Sequence, residues 1–181
     1  VVFDRVDFES SELLDNIKQQ QPDLIVLAGF LWKFPETIVA KYPKKIINIH
    51  PALLPKYGGK GMYGMHVHEA VLTNHEIETG ITIHYVNEHY DEGEFIFQKS
   101  VNIEDCKTAE AIAQKIHVLE MDNFPLVIEK LLNIMIFNLI KNSFLQPGNL
   151  YSKIKIEKVV PITPAHPPNK RYSFPISLWF V

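Results

Sequence analysis

Two polar side chains stand two residues apart in the run Lys45-Ile46-Ile47-Asn48-Ile49-His50-Pro51. Strand side chains alternate faces, so an extended β-branched run puts Asn48 and His50 on the same side. Pro51 has no backbone N–H to give to a ladder, and the strand ends at His50. An amide and an imidazole thus lie together at a strand's carboxyl end, where open α/β sheets place their chemistry. Thr82 and His84 share a face of the next β-rich run in the same way, and Asp91 stands in an acidic turn that closes with Gly93. This set suits attack of an amine on an acyl carbon. Negative charge develops on the acyl oxygen, and one donor aimed at it is typically worth roughly 10²–10³ in rate. Asn48 and a protonated His50 would supply two donors. A carboxylate at Asp91 would raise the imidazole pKa and pass protons through water. No Ser or Cys stands in a nucleophile-elbow context, which favours direct transfer between two substrates over an acyl-enzyme.

The elements that hold these residues follow from periodicity. Leu13, Leu14 and Ile17 have helical spacing within residues 9–20, and Pro22 stops that segment. Residues 23–30 (DLIVLAGF) form a continuous apolar run, as in a strand buried on both faces. Residues 35–42 predict a short helix with Pro35 in its first turn, and a glycine-rich loop, 51–64, follows the Asn48–His50 strand. Residues 66–74 read as a helix, 78–87 and 94–101 as strands, and the second pair is close enough in sequence to be antiparallel at a sheet edge. A long helix starts near Thr108 with Ala109, Ile112, Ile116 and Leu119 on one stripe, and Pro125 is expected to break or kink it. Strands alternating with helices predict an α/β fold with a largely parallel sheet flanked by helices.

Composition narrows the classes. With 181 residues, 46% hydrophobic and 22% charged, the chain fits one globular domain with an appendage. Its net charge of −3 argues against a nucleic-acid binder. The single cysteine, Cys106, allows no internal disulfide and no cysteine-rich zinc site, so the chain reads as cytoplasmic. No apolar run reaches the roughly 18 residues of a membrane span. His66 and His68 lack a carboxylate partner in sequence, and no metal is expected. The charge is unevenly spread: residues 1–132 carry 20 of the 21 acidic residues and a net charge of −8, whereas 133–181 carry only Glu157 and a net charge of +5. Six of the twelve prolines fall in the latter stretch. The shift predicts a boundary near residue 132, between a catalytic domain (1–132) and a Pro-rich basic tail (133–181) read as a disordered or frameshifted extension.

The order of motifs Ala28-Gly29-Phe30, Asn48-Ile49-His50-Pro51-Ala52-Leu53-Leu54-Pro55-Lys56-Tyr57, Gly80-Ile81-Thr82-Ile83-His84 and Asp91-Glu92-Gly93 resembles the folate-dependent formyltransferase family over roughly residues 7–132. The resemblance implies a Rossmann-like fold and formyl transfer from 10-formyltetrahydrofolate, as co-substrate, to the amine of glycinamide ribonucleotide in purine biosynthesis. It implies a monomer or homodimer acting on small molecules, with no nucleic acid, membrane or metal partner. Carried over by motif, Asn48 would bind the formyl oxygen, protonated His50 would stabilise the tetrahedral intermediate, and Asp91 would organise the proton-shuttling water. Leu31, Trp32, Phe34, Val86, Asn87 and Asp91 would wall the pterin pocket. Glu120 would contact the ribonucleotide, while Thr82 and His84 match supporting positions. The alternatives within the resemblance are a formyltetrahydrofolate deformylase and a folate-binding fragment without turnover.

Two departures from the family shape the expectation. Family members open with a strand and a Gly-x-Gly-Ser-Asn loop that binds the substrate phosphate at a helix start, and no such text is present in this sequence. Without the family's first strands, the strand within 23–30 would keep an open apolar edge, an aggregation hazard. If 181 residues were the whole protein, it is expected to fold poorly and to be inactive. The tail matches no part of the family pattern.

Overall fold

The computed structural model describes residues 2–3, 11–30, 32–144, 160–164 and 177–180. In chain order the elements are β1 (Val2–Phe3), α1 (Ser11–Gln20), β2 (Ile25–Ala28), α2 (Glu36–Val39), β3 (Ile46–His50), α3 (Met65–Thr73), β4 (Glu78–Tyr85), β5 (Phe95–Asn102), α4 (Ala109–Phe144), β6 (Val160–Pro164) and β7 (Ser177–Phe180). They follow the periodicities closely. α1 buries Leu13 and Ile17, one turn apart, and ends where Gln21 takes a left-handed φ of 47° ahead of Pro22.

The strands form one sheet in the order β1-β6-β7-β2-β3-β4-β5. The α/β layering is as expected, and the sheet is mixed in direction. β2–β3 and β1–β6 are parallel, whereas β3–β4, β4–β5, β2–β7 and β6–β7 are antiparallel. The parallel pairs are thus β1–β6 and β2–β3, the second of which carries Asn48 and His50. Elsewhere the connections decide. Nine residues join β4 to β5, too few for the crossover that a parallel pair needs. The edge of β2 that the sequence leaves open carries β7, with Ile25 opposite Phe180 and Ala28 opposite Ser177. That pairing satisfies the β2 backbone on both sides.

Strand alternation sorts the core into two clusters. Leu24, Val26, Ile47, Ile49, Ile81 and Ile83 face α3 and α4, packing on Val71, Ile112, Ile116 and Leu119. Ile25, Leu27 and Ile46 face α1 and α2, packing on Leu13, Ile17 and Ile38. Asn48 and His50 alternate with Ile47 and Ile49, so they belong to the second face.

The expected break at Pro125 does not occur: α4 runs continuously through it. Proline removes the hydrogen bond to the carbonyl four residues earlier, here that of Met121. Met121 is 63% exposed and Pro125 lies on the exposed side, so water can satisfy that carbonyl. The helix also runs past residue 132 to Phe144. Of the stretch 133–181, residues 145–159 and 165–176 lie outside the described residues.

Candidate active site

β3 and β4 bring the polar residues together by register. Asn48 stands opposite His84, and His50 opposite Thr82. The Asn48 amide donates from Nδ2 to His84 Nε2 at 3.2 Å, and His84 Nδ1 donates to the Tyr85 carbonyl at 2.9 Å. A carbonyl only accepts, so His84 Nδ1 carries a proton, and the opposite nitrogen is the one the Asn48 amide reaches. The turn after β4 then lays Asp91 between the two rings: its Oδ1 is 3.6 Å from His84 Nε2 and its Oδ2 is 3.6 Å from His50 Nδ1. The result is a continuous polar chain, Asn48–His84–Asp91–His50, at the carboxyl end of β3.

Backbone groups fix the far end of that chain. His50 Nε2 donates to the Tyr57 carbonyl at 2.7 Å, which turns Nδ1 toward Asp91. The Gly59 N–H donates to Asp91 Oδ2 at 2.9 Å. Asp91 adopts φ 57°, a left-handed conformation that Asp tolerates better than most residues. Gly93 is required beside it, because a Cβ there would run into the Tyr85 carbonyl and come within 3.3 Å of His84 Nδ1.

Thr82 holds the loop that follows β3. Its hydroxyl donates to the Ala52 carbonyl at 2.7 Å and accepts from the Leu54 N–H at 3.0 Å and from Gln98 Nε2 at 2.9 Å. Gln98 Nε2 also donates to the Leu54 carbonyl. Thr82 is fully buried and acts by fixing where the loop leaves the strand.

Burial pushes the His50 imidazole below its ordinary 6.5 and outweighs the Asp91 carboxylate and the Tyr57 carbonyl, which act the other way. That shift favours the neutral ring, as expected of an imidazole with 96% of its surface removed from solvent. Asp91 goes the opposite way. Burial raises its pKa, but the His84 ring, the His50 charge and the Gly59 amide together hold it below the usual carboxylate range. The two shifts favour a carboxylate facing an imidazole that gives up its proton more readily than a free one.

Of the residues assigned to a pterin wall, Phe34 is buried and Trp32 and Val86 pack in the same cluster, on the face that carries Asn48 and His50. The Phe30 ring meets both Trp32 (6.2 Å) and Phe34 (5.8 Å) edge-on. Asn87 accepts the His89 N–H through Oδ1, which shapes the turn toward Asp91. Leu31 lies outside the described residues. Glu120 stands apart on α4, whose core residues pack on the opposite face of the sheet. Its carboxylate is 3.8 Å from His117, and burial pushes its pKa up to about 7. Sequence reasoning missed the Tyr57 carbonyl and the Gly59 amide, since backbone groups leave no signature. It also underrated His84, whose position opposite Asn48 depends on the register of β3 with β4. Among the described residues no group of three His, Cys, Asp or Glu side chains converges as a metal site, and no helix is long and apolar enough to cross a membrane.

Comparison with known proteins bears on the family and the fold. The model of the formyl transferase family matches residues 3–128. A chloroplastic phosphoribosylglycinamide formyltransferase of Arabidopsis thaliana is 45% identical over 106 residues, 59% of this chain and 36% of the relative. The phosphoribosylglycinamide formyltransferase of Bacillus subtilis is 38% identical over 122 residues, 67% of this chain and 60% of the relative. Among solved structures, that of phosphoribosylglycinamide formyltransferase from Streptococcus pneumoniae superposes with a TM-score of 0.65 at 30% identity, covering 73% of each chain. The Bacillus halodurans enzyme superposes with a TM-score of 0.61 at 37% identity, covering 67% of this chain and 60% of that one. The chain thus spans 36% and 60% of the length of these two curated relatives.

Proposed function

This chain belongs to the formyl transferase family, and from that membership we propose that its site moves a formyl group from 10-formyltetrahydrofolate to the amine of glycinamide ribonucleotide. The observation that carries the reading is the polar chain Asn48–His84–Asp91–His50, anchored at both ends. The amine attacks the formyl carbon, and charge builds on the formyl oxygen. The Asn48 amide gives one N–H to His84 and has a second to aim at that oxygen. The amine must lose a proton as its bond to carbon forms, and N10 of the folate must gain one as its bond breaks. The Asp91–His50 pair is built to hold that proton in between. As neutral imidazole and carboxylate it takes the proton up, becoming an ion pair whose positive ring faces the oxyanion, and it then returns the proton to the leaving nitrogen.

In the same proposal Trp32, Phe34, Val86 and Asn87, together with Leu31, wall the pterin, and Glu120 contacts the ribonucleotide. The cytoplasmic setting belongs to the proposal as well; the plant relative is named for the chloroplast. The test is a transfer assay with both substrates, run beside a control without the amine. Transfer is expected, with Asn48→Ala slowing kcat by roughly 10²–10³. An undiminished rate in that variant refutes the role of Asn48. Release of formate without the amine identifies a deformylase, and folate binding without any turnover identifies a binding fragment.

A further inference from the structure

We propose that Glu76, outside the polar chain and past the carboxyl end of α3, is a positioning residue for the His50–Asp91 pair. It acts through the turn Tyr57–Gly59. That turn touches both members of the pair with backbone alone: the Tyr57 carbonyl accepts the His50 Nε2 proton, and the Gly59 N–H donates to Asp91. The turn fits tightly against its load, since a Cβ at Gly58 would come within 2.5 Å of the Leu54 side chain and 3.3 Å of Asp91 Cβ. Tyr57 itself sits at φ 57°, a left-handed conformation that a bulky side chain avoids unless something holds it.

Glu76 supplies the hold. Its Oε1 accepts from the Tyr57 hydroxyl at 2.9 Å and from Lys56 Nζ at 2.9 Å, so one carboxylate oxygen grips two successive residues of the loop. The Lys56 and Tyr57 hydrogen bonds keep the carboxyl below the usual carboxylate range, so it is charged near neutral pH. The carboxylate is three-quarters shielded from solvent while its Lys56 partner is well exposed, and an exposed lysine pair alone would be worth little. The tyrosine bond makes it a lever: it pins the phenol, the phenol fixes the Tyr57 backbone, and that carbonyl dictates which nitrogen of His50 carries the proton. Without the grip, the carbonyl drifts and the His50 proton can move to Nδ1, where it faces Asp91 before any substrate has supplied one.

The inference rests on the proposed transfer reaction only for its activity arm. The primary readout is nitrogen NMR of the His50 ring in the full chain, which distinguishes the two tautomers directly. The parent is expected to show His50 protonated at Nε2 near neutral pH. Glu76→Ala and Tyr57→Phe are expected to populate the Nδ1 tautomer and to move the His50 titration midpoint. Glu76→Gln keeps an acceptor for the phenol and is expected to restore the parent pattern, while Lys56→Ala leaves it unchanged. In the transfer assay, Glu76→Ala and Tyr57→Phe should lower kcat by roughly three- to tenfold with KM for the ribonucleotide unchanged. Should Glu76→Ala fail to fold, judged by its thermal melt, Tyr57→Phe carries the test alone. Unaltered His50 signals in Tyr57→Phe overturn the proposal. If the parent transfers no formyl group, the functional reading fails while the tautomer result still decides this one.

Discussion

His68 gives the sharpest prediction. It lies on α3 with 6% of its surface exposed, and its Nδ1 has no hydrogen-bond partner. Burial pushes its pKa down to about 4, and the charge of nearby His50 adds to that. An unfolded histidine titrates near 6.5, so between pH 6.5 and about 4 the unfolded chain binds a proton that the folded chain refuses. Stability from this residue is complete above pH 6.5 and is lost as the pH falls toward 4. A gap of about 2.5 pH units at about 1.4 kcal/mol each amounts to about 3.5 kcal/mol, of which about 2 kcal/mol should be gone by pH 5. That is a large part of the roughly 5–15 kcal/mol that holds a domain together. His68→Leu removes the imidazole while keeping an apolar side chain of similar volume. Urea unfolding of parent and variant at pH 7.5 and pH 5 isolates His68 and its coupling to His50, because the titrating groups away from it cancel in the difference. The parent should lose about 2 kcal/mol more than the variant on acidification. Parallel losses would refute the claim that His68 is held neutral in the folded state.

Other substitutions test the remaining supports. Thr82→Val strands the Leu54 N–H, the Ala52 carbonyl and one Gln98 contact in a buried site, and should destabilise the fold by about 3 kcal/mol, whereas Thr82→Ser should cost about 1; chemical denaturation measures both. Gly93→Ala forces a methyl group onto the Tyr85 carbonyl. It should lower the thermal midpoint and disturb the His84 ring signals, and a variant with the parent's midpoint would show that the turn yields freely. Glu120, raised to about 7, should impose a pH dependence near neutrality on KM for the ribonucleotide if it contacts that substrate. Glu120→Gln should flatten that dependence and leave kcat alone; an unchanged KM profile removes Glu120 from the site.

Much of the site was legible because strand chemistry is periodic. Asn48 and His50, two apart before a proline, share a face by geometry alone, and Asp91 was marked by its acidic turn and Gly93. What escaped were relations that span the chain. Which residue stands opposite Asn48 depends on how β3 and β4 align, and nothing within either strand states that. The Tyr57 carbonyl and the Gly59 amide are common to every residue type, so their use is invisible until the loop is folded over Asp91. The continuity of α4 through Pro125 depends on Met121 facing water, a matter of which side of the helix the core takes. The pairing of β7 with β2 joins segments some 150 residues apart, and no local pattern announces it.

The two-sided sheet has a consequence for how this protein tolerates change. Along β3 and β4, odd positions (Ile47, Ile49, Ile81, Ile83) anchor the α4 layer, while even positions (Asn48, His50, Thr82, His84) build the site or brace its loop. The backbone thus divides two selective pressures residue by residue. Drift at odd positions is exchanged among apolar side chains and registers as stability, and under the proposed reaction drift at Asn48, His50 or His84 would register as lost turnover in a protein that still folds. A strand of five residues can in this way be conservative and permissive by turns, with a period of two.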